Sequence, residues 1–505
     1  MYHQSQKTKL RSIPLTMSFL AFLCVSTVRA QPWEQTYKLL ALDGGTNDHL
    51  GESVAISGDI VVAGASENDN FHGSGAGAAY IFNITTGSQL FKLLAADGAG
   101  RDDFGSSVAS DGNLAVIGAP GFSLGSGLGA VYVFDVSTGE QIFKLLASDG
   151  AGNDQFGYSV AMSGNLAVIG ARFNDGVANS SGAAYVFDVN TGQQLNKLVA
   201  SDGTDFDNFG TSVSISGNIA VIGAPGDSAT GSAYVFDVTT GTQLFKLLAD
   251  DGEPSDNFGI SVAVSDNLAV IGASKGDGKV PNTGSAYVFD VTTGQQLYKL
   301  FATDGEVNDI FGYSVAINND LALVGAIAGN GEFVKSGSAY VFELTTGQQS
   351  FKLFAADGDT NFYFGSSVAI SGNIGVIGAM FDDNTNSDSG AAYVFQRRTT
   401  DLLTVSPAPL IAGQDGTFSM IQTLPNEQTW LIYSLDGLQQ QFIRQLSVVI
   451  DLANPQIAVA PRFTDANGDL QFILPMPGIV NPLDVWFQAV QQRNVTNFVA
   501  TQLIP

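Results

Sequence analysis

Cysteine is almost absent from this chain. Its 505 residues contain one cysteine, Cys24, and three histidines. A single cysteine cannot form an internal disulfide, and it cannot supply a thiolate metal site of the zinc-finger type. The fold must therefore be stabilised by packing and hydrogen bonds.

Basic side chains are scarce. The chain has 21 lysine and arginine residues against 48 acidic ones, which gives a formal net charge of -27. This balance argues against nucleic acids and anionic membrane surfaces as partners. It favours divalent cations or basic partners, and it also keeps a large extracellular protein soluble. We expect a monomer that does not bind nucleic acid.

No apolar run reaches the roughly twenty residues that a membrane-spanning helix needs. A shorter apolar stretch, residues 13–25, follows three basic residues and precedes small residues up to Ala30. This pattern predicts a signal peptide over residues 1–30 that is cleaved after Ala30. Cys24 lies inside it. We therefore expect a secreted or cell-surface protein without a free thiol and without a transmembrane segment.

Catalytic motifs are few. After removal of the signal peptide, His49 and His72 are the remaining histidines, and no His-Glu-x-x-His motif occurs. Gly-x-Ser-x-Gly matches around Ser123 and Ser274, but glycine-rich sequence follows both, whereas a nucleophile elbow leads into a helix. We expect no enzymatic activity, although a pair of carboxylates could still act as an acid and a base.

Glycine, by contrast, is abundant, with 59 residues, and a repeat of about fifty residues dominates positions 37–395. Each copy contains a strand ending in Lys-Leu, an acidic Asp-Gly loop, a Phe-Gly pair, two apolar strands and a Tyr-Val-Phe strand. This period is typical of four-stranded propeller blades. Seven copies can be counted, with a variant first copy at Leu50 and Phe-Gly pairs that begin at Phe104, Phe156, Phe209, Phe258, Phe311 and Phe364.

One copy shows why the repeat forms a sheet. Residues 261–265 and 268–273 are small and apolar and are separated by two turn residues, which predicts a hairpin. Residues 286–289 and 296–301 predict a second hairpin around Thr-Thr-Gly. A sheet that is apolar on both faces must be covered by its neighbours, so the blades are expected to stack in a ring. We predict an all-β, seven-bladed propeller.

The two ends of the array predict how the ring closes. The last copy lacks its fourth strand, and residues 35–41 match that strand without a blade of their own. We predict that this N-terminal segment completes the last blade and removes the open edges. The expected domains are the propeller over 35–395, a linker over 396–402 and a small β-sandwich-like domain over 403–505.

Blade topology also predicts one end of the propeller as the binding surface. If the strands of a blade are named A to D, the connections from B to C and from D to A lie at the same end, here called the long-loop face. These connections vary in length, whereas the turns at the opposite end are short. The binding candidates on the long-loop face are Phe71, His72, Phe122, Phe173 and Phe381.

The combination of Phe-Gly with Gly-Ala-Pro, found at residues 118–120 and 223–225, resembles the FG-GAP repeat of integrin α-subunit propellers and of secreted bacterial proteins. The resemblance implies a seven-bladed propeller used for extracellular adhesion or ligand recognition. Integrin-type repeats hold calcium in an Asp-x-Asp-x-Asp-Gly loop between strands A and B. Here that position is a tight turn, such as residues 163–165, so this calcium site cannot be carried over.

The acidic loops are the candidates for a metal site. Calcium takes about six to eight oxygen ligands, and two carboxylates with backbone carbonyls and water could supply a weak site. The alternative is structural, with the first aspartate in an Asx turn and the second capping backbone amides. A second calcium candidate comprises Asp382, Asp383, Asn384 and Asp388. The paired loop aspartates are Asp43 and Asp48, Asp97 and Asp102, Asp149 and Asp154, Asp202 and Asp207, Asp251 and Asp256, and Asp304 and Asp309, while copy seven has Asp357 but Phe362.

The sequence thus favours an extracellular binding or adhesion module for a protein or a glycan, with calcium assistance as an open possibility. Two alternatives remain, an extracellular enzyme with an acidic site at the propeller axis and a purely structural envelope component. An enzyme should show convergent polar residues on one or two blades near the axis. A binding module should show an aromatic and polar patch that spans several blades.

Overall fold

The computed structural model describes residues 33–121, 128–331, 333–383 and 386–397, together with ten strands between Leu402 and Leu503. The predicted signal peptide, its cleavage after Ala30 and the binding candidate Phe122 lie outside the described residues and stay predictions. Within the part of the chain that is described, no helix is long and apolar enough to cross a membrane.

The repeats form seven four-stranded antiparallel sheets, as predicted. The strands, in the order A to D, are for blade 1 β2 (Val54–Ser57), β3 (Ile60–Ala65), β4 (Ala78–Asn83) and β5 (Ser88–Leu93); for blade 2 β6 (Ser107–Asp111), β7 (Leu114–Ala119), β8 (Ala130–Asp135) and β9 (Gln141–Leu145); for blade 3 β10 (Phe156–Ser163), β11 (Leu166–Ala171), β12 (Ala183–Asp188) and β13 (Gln193–Leu198); for blade 4 β14 (Ser212–Ser216), β15 (Ile219–Ala224), β16 (Ser232–Asp237) and β17 (Thr242–Leu247); for blade 5 β18 (Phe258–Ser265), β19 (Leu268–Ala273), β20 (Ser285–Asp290) and β21 (Gln295–Leu300); for blade 6 β22 (Phe311–Asn318), β23 (Leu321–Ala326), β24 (Ser338–Glu343) and β25 (Gln348–Leu353); and for blade 7 β26 (Phe364–Ser371), β27 (Ile374–Ala379), β28 (Ala391–Arg397) and the N-terminal β1 (Trp33–Leu39).

Local turn chemistry defines both hairpins of a blade. Between β18 and β19, Asp266 adopts a left-handed conformation with φ of 50°, which short aspartate and asparagine side chains tolerate. Between β20 and β21, the Asp290 carboxylate accepts hydrogen bonds from the backbone N–H and the hydroxyl of Thr292, at 2.8 and 2.6 Å. Gly294 ends this turn with φ of 72°. The turns therefore fix the register in which the apolar strands pair.

The A strands of successive blades contact one another around a complete circle, and β26 of blade 7 contacts β2 of blade 1. The A strands thus line the axis. β1 pairs with β28, with Trp33 opposite Arg397 and Leu39 opposite Ala392. The predicted closure is confirmed, although the strand begins two residues earlier than residues 35–41 because Trp33, only 2 % exposed, packs into the core of blades 6 and 7.

The Phe-Gly pair fills the space between blades. Phe104 is buried between blades 1 and 2, and its ring centroid lies 5.5 Å from that of Tyr132 and 5.9 Å from that of Phe134, both on β8. In blade 1 the buried Leu50 takes the same place. The glycine that follows each of these residues lies against the preceding blade. A β-carbon on Gly105, whose φ is 99°, would overlap the carbonyl oxygen of Ala78.

A serine near the start of each A strand reaches across to the next blade. The Ser53 hydroxyl donates to the carbonyl oxygen of Gly105 at 2.7 Å, and the ring closes when Ser367 donates to Gly51 at 2.7 Å. The intervening pairs are Ser107 with Gly157, Ser159 with Gly210, Ser212 with Gly259, Ser261 with Gly312, and Ser314 with Gly365.

A glycine on the B strand also lies against the next blade. A β-carbon on Gly272 of β19 would overlap the carbonyl oxygen of Gly312. The small residue therefore permits close contact between blades.

Ten further strands follow the propeller, and they belong to a separate compact unit, with the boundary after Thr399. β28 extends to Arg397, into the predicted linker, and the next strand begins at Leu402. The predicted β-sandwich and its limits at 403–505 stay predictions. The sheets, all antiparallel, comprise β29 (Leu402–Ser406), β30 (Asp415–Ile421) and β36 (Leu470–Pro475); β34 (Gln456–Ile457), β31 (Gln428–Ser434), β37 (Leu483–Gln491) and β38 (Val495–Leu503), with β35 (Arg462–Phe463) also on β31; and β32 (Gln440–Ile443) with β33 (Val448–Asp451).

Candidate functional site

The loops of the long-loop face form one continuous surface. Within blade 3, the backbone N–H of Phe173 in the B-to-C loop donates to the carbonyl oxygen of Asp154 in the D-to-A loop, at 3.3 Å. Between blades, the N–H of Asn208 donates to the carbonyl oxygen of Ser180 at 3.4 Å. The two classes of loop therefore support each other along the ring.

The first aspartate of each D-to-A loop pairs with a lysine and a tyrosine of the blade that the loop leads into. The Asp97 carboxylate accepts hydrogen bonds from the Tyr132 hydroxyl at 3.0 Å and from the Lys144 ammonium at 2.7 Å. Lys144 and Tyr132 hold the pKa of Asp97 below its usual value, and burial raises the pKa of Tyr132 to about 12. The equivalent ion pairs in the other blades are Lys92–Asp43, Lys197–Asp149, Lys246–Asp202, Lys299–Asp251, Lys352–Asp304 and Lys38–Asp357.

The second aspartate accepts a hydrogen bond from a backbone N–H group of its own loop. The Asp154 carboxylate accepts hydrogen bonds from the backbone N–H of Ala151 at 2.9 Å and from the Asn174 amide at 2.7 Å. The same backbone bond, to the residue three positions earlier, is made by Asp48, Asp102, Asp207, Asp256 and Asp309. This agrees with the capping role considered above for the second aspartate.

The other calcium candidate is also engaged with protein groups. Asp382, which is fully buried, accepts a hydrogen bond from the Tyr393 hydroxyl at 2.7 Å and pairs with Lys38 at 2.7 Å. Asp383 accepts the backbone N–H of Asp388 at 2.7 Å. Among the described residues, no three histidine, cysteine, aspartate or glutamate side chains are grouped so that they could hold a metal ion. Calcium binding by these loops stays a prediction from sequence.

A calcium titration decides between the calcium-binding and the structural interpretation of these loops. Because lysine ammonium groups already neutralise the first aspartates, we expect the thermal unfolding curve to be the same in calcium and in a chelator. A cation at 100 times its dissociation constant would instead stabilise the fold by about 2.7 kcal/mol. A calcium-dependent rise in melting temperature would show that the loops bind the ion despite their internal partners.

The described aromatic binding candidates lie on different blades. Phe71 is 82 % exposed and packs on His72, with ring centroids 4.0 Å apart. Phe173 on blade 3 is 36 % exposed, and the half-buried Phe381 on blade 7 contacts His49. Within the described residues, no ring contact joins Phe71 to Phe173 or Phe381.

A second set of residues, which flanks Phe-Gly, was missed from the sequence. The residue before Phe-Gly has a left-handed backbone in every blade, and the residue after it lies in the A strand or within two residues of its start. Both positions vary between blades, while Phe-Gly hardly varies. Strained backbone of this kind concentrates at functional sites. The preceding residues are His49, Asp103, Gln155, Asn208, Asn257, Ile310 and Tyr363, with φ between 53 and 61°, and the following ones are Glu52, Ser106, Tyr158, Thr211, Ile260, Tyr313 and Ser366.

Blade 3 places an arginine at this axial end of the long-loop face. The guanidinium of Arg172 lies 3.6 Å from the ring centroid of Tyr158 and 4.6 Å from that of Phe173. Its Nε donates to the side-chain oxygen of Gln155 at 2.7 Å. Burial lowers the pKa of Arg172. Stacking and the hydrogen bond therefore hold the guanidinium in one orientation.

Side chains of four blades converge with this arginine cluster. Tyr313 of blade 6 keeps 38 % of its surface exposed. Burial nevertheless raises its pKa, and Tyr158 of blade 3, Glu52 of blade 1 and Tyr363 of blade 7 raise that pKa further. These side chains therefore lie near one another where the A strands meet, and we call this part of the long-loop face the axial funnel.

Blades 1 and 2 contribute an acidic wall. Glu52 accepts a hydrogen bond from the Ser66 hydroxyl, and burial together with the charge of Glu67 raises its pKa. Burial, Glu67 and Glu52 raise the pKa of Asp103 to about 7. Asp103 therefore carries a proton at pH values where ordinary carboxylates are fully ionised.

The Asp103→Asn variant tests this electrostatic description. Because the folded pKa lies above the unfolded value, ionisation favours the unfolded state increasingly between about pH 4 and pH 7. After allowance for solvent screening, we expect the variant to exceed the wild type by about 2 kcal/mol at pH 8 and to match it below pH 4. Urea unfolding at both pH values measures the difference. A gain that is independent of pH would instead reflect the left-handed backbone, which asparagine tolerates well.

A search of curated proteins finds no match. Among solved structures, the propeller of Dos1 is similar at 12 % sequence identity, over 72 % of this chain and 94 % of that chain, with a TM-score of 0.44. The profile of the FG-GAP repeat matches residues 33–82, 88–134, 140–187, 193–236, 242–289, 295–342 and 348–395. These matches cover more than half of the chain, one for each blade and with residues 33–82 including β1, and the chain belongs to the FG-GAP repeat family.

Proposed function

We propose that this chain is an extracellular binding module that recognises a protein or a glycan at the axial funnel of its long-loop face. The observation that carries the proposal is the convergence of Tyr158, Tyr313, Tyr363 and Glu52 from four different blades. An aromatic and polar patch that spans several blades is the arrangement expected of a recognition surface. FG-GAP repeats are typical of extracellular proteins, which agrees with the predicted signal peptide.

The different roles of repeated and variable positions support this proposal. The lysine–aspartate pairs and the serine–glycine hydrogen bonds recur around the ring, as a structural role requires. The residues on either side of Phe-Gly differ from blade to blade although they occupy equivalent places. A rigid scaffold with variable side chains at one end is the usual design of a binding domain.

A binding screen with the full chain tests the proposal. Probes are an immobilised glycan set and extracellular protein extracts, and hits are compared between the wild type and the double variant Tyr158→Ser, Tyr313→Ser. Loss of two aromatic contacts should weaken binding at least tenfold, since such side chains contribute about 1–2 kcal/mol each. The matched control is Tyr298→Ser on the outermost strand of blade 5. Equal binding by the double variant and the control would place the ligand away from the funnel.

A second candidate function is an extracellular enzyme with an acidic site at the axis. The observation that favours it is the raised pKa of Asp103, about 7, beside Glu52, whose pKa is also raised. A carboxyl group that titrates near neutral pH can act as a general acid or base. Turnover of a bound ligand that Asp103→Asn or Glu52→Gln abolishes, with binding retained, would establish this function in place of simple recognition.

A further inference from the structure

Arg172 lacks the acidic partner that other basic residues of the propeller have. The repeated lysines and Arg397 each lie within 4.0 Å of a carboxylate oxygen. In the described part of the chain, no carboxylate lies that close to the Arg172 guanidinium, in a protein whose net charge is -27. The other described basic residues of the propeller without an ion pair are exposed, whereas Arg172 is partly buried, so its lack of a partner requires an explanation. Those exposed residues are Arg101, Lys275, Lys279 and Lys335.

The guanidinium of Arg172 is held in one orientation but keeps hydrogen-bond donors that have no acceptor among the described residues. Its Nε is bonded to Gln155, and its plane is stacked on Tyr158 and Phe173. Its two terminal nitrogens make no hydrogen bond with any described residue. Arginine presents its donors as a planar fork that matches a carboxylate, and a fork that is already fixed loses little entropy when it binds.

The environment of Arg172 strengthens the attraction between its guanidinium and a bound anion. Burial lowers its pKa, which shows that the cation is partly removed from water without a compensating anion. An ion pair formed in such a place is screened less by solvent than one on an open surface. The guanidinium lies over the ring of Tyr158, which is one of the funnel side chains, so a ligand that contacts Tyr158 lies beside Arg172.

We infer that Arg172 binds a carboxylate of an acidic side chain on a protein partner, which enters the axial funnel. This inference rests on the proposed function and names the chemistry that the funnel recognises. A protein partner fits better than an acidic polysaccharide, because the protein's net charge of -27 would repel a polyanion. A peptide offers one carboxylate flanked by neutral or basic groups.

The test uses the full chain and immobilised peptides of a neutral glycine and serine sequence that carry one central aspartate, with an otherwise identical asparagine peptide as the reference. A galacturonic acid oligomer is the third probe. The variants are Arg172→Gln and, as a matched control with the same loss of charge, Arg101→Gln on an exposed loop of the same face. Thermal unfolding of each variant verifies the fold.

We expect the aspartate peptide to bind at least tenfold more tightly than the asparagine peptide, with the difference lost in Arg172→Gln, kept in Arg101→Gln and reduced at high salt. Equal binding of both peptides, absence of binding, or an unaffected Arg172→Gln variant would overturn the inference. A preference for the galacturonic acid oligomer would also overturn it and assign the carboxylate to a glycan. If ligands from the screen bind through the tyrosines but are insensitive to Arg172→Gln, the proposed function stands and this inference alone fails.

Discussion

A chain that starts at Asp43 is expected to lose the folded propeller, whereas a chain that starts at Gln31 is expected to keep it. The shorter chain lacks β1, and with it the hydrogen bonds to β28 and the ion pairs of Lys38 with Asp357 and Asp382. It also lacks Trp33 and Leu39, both of which are buried. Loss of the tryptophan side chain alone should cost about 3–5 kcal/mol, and the exposed edge of β28 adds to that cost.

Circular dichroism and urea unfolding of the two chains measure this effect. The milder variant Trp33→Ala keeps the backbone pairing and should lower stability by roughly the tryptophan contribution only. A moderate loss of stability in Trp33→Ala and a severe loss in the deletion would show that packing of the tryptophan and pairing of β1 with β28 contribute separately. Unfolding curves of the Asp43 chain that coincide with those of the Gln31 chain would refute closure as a source of stability.

Replacement of the glycine in Phe-Gly is expected to have the second large effect. Gly105→Ala combines a left-handed φ of 99° with an overlap against the backbone of Ala78, and we expect it to cost more than about 3 kcal/mol. Two controls separate these causes. Gly112→Ala has a φ of 56° with nothing within 4 Å of the added carbon, and it should cost about 1–2 kcal/mol. In Gly64→Ala the added β-carbon would overlap the carbonyl oxygen of Gly105, but the residue has no left-handed φ. Its loss of stability therefore measures the effect of the close contact between blades.

The three variants are compared by urea unfolding of the full chain. The expected order of stability places Gly112→Ala nearest to the wild type and Gly105→Ala furthest from it. If Gly112→Ala and Gly105→Ala were equally destabilised, backbone conformation alone would explain the glycine, and close contact between blades would not be needed.

The fold could be predicted from the sequence because each structural requirement is repeated in copy after copy. Phe104, Phe156 and their equivalents mark the blade boundary each time, and the strand pattern between them recurs about every fifty residues. The unpaired segment at the N-terminus and the missing last strand could be matched for the same reason. Such redundancy makes single exceptions, such as Leu50 in place of phenylalanine, easy to recognise.

The role of the acidic loops could be predicted only in part. Capping by the second aspartate was one of the two alternatives that the sequence left open, but the partners of the first aspartate were not predicted. Tyr132 and Lys144 lie well beyond Asp97 in the sequence, and the sheet brings them together. The available signal was that a tyrosine, a lysine and an aspartate each recur once per copy, which three residues in mutual contact would explain.

The funnel could not be predicted because it depends on differences between copies. Tyr158, Tyr313 and Tyr363 occupy the positions that flank Phe-Gly, where the repeat shows no preferred residue. Their proximity follows only from ring closure, which brings blades 1, 3, 6 and 7 around one axis. A repeat pattern identifies what the copies share, whereas a recognition site is made of what they do not share.

Closure by β1 also sets the order of events during synthesis. β1 is among the first parts of the propeller to leave the ribosome, but its partner β28 comes last, and the hydrogen bond from Thr36 to Val394 spans 358 residues. At roughly 5–20 residues per second, β1 stays without its partner for roughly 20 to 70 s. During that time the nascent propeller exposes two open sheet edges, so rapid export or chaperone binding would protect it from pairing with other chains.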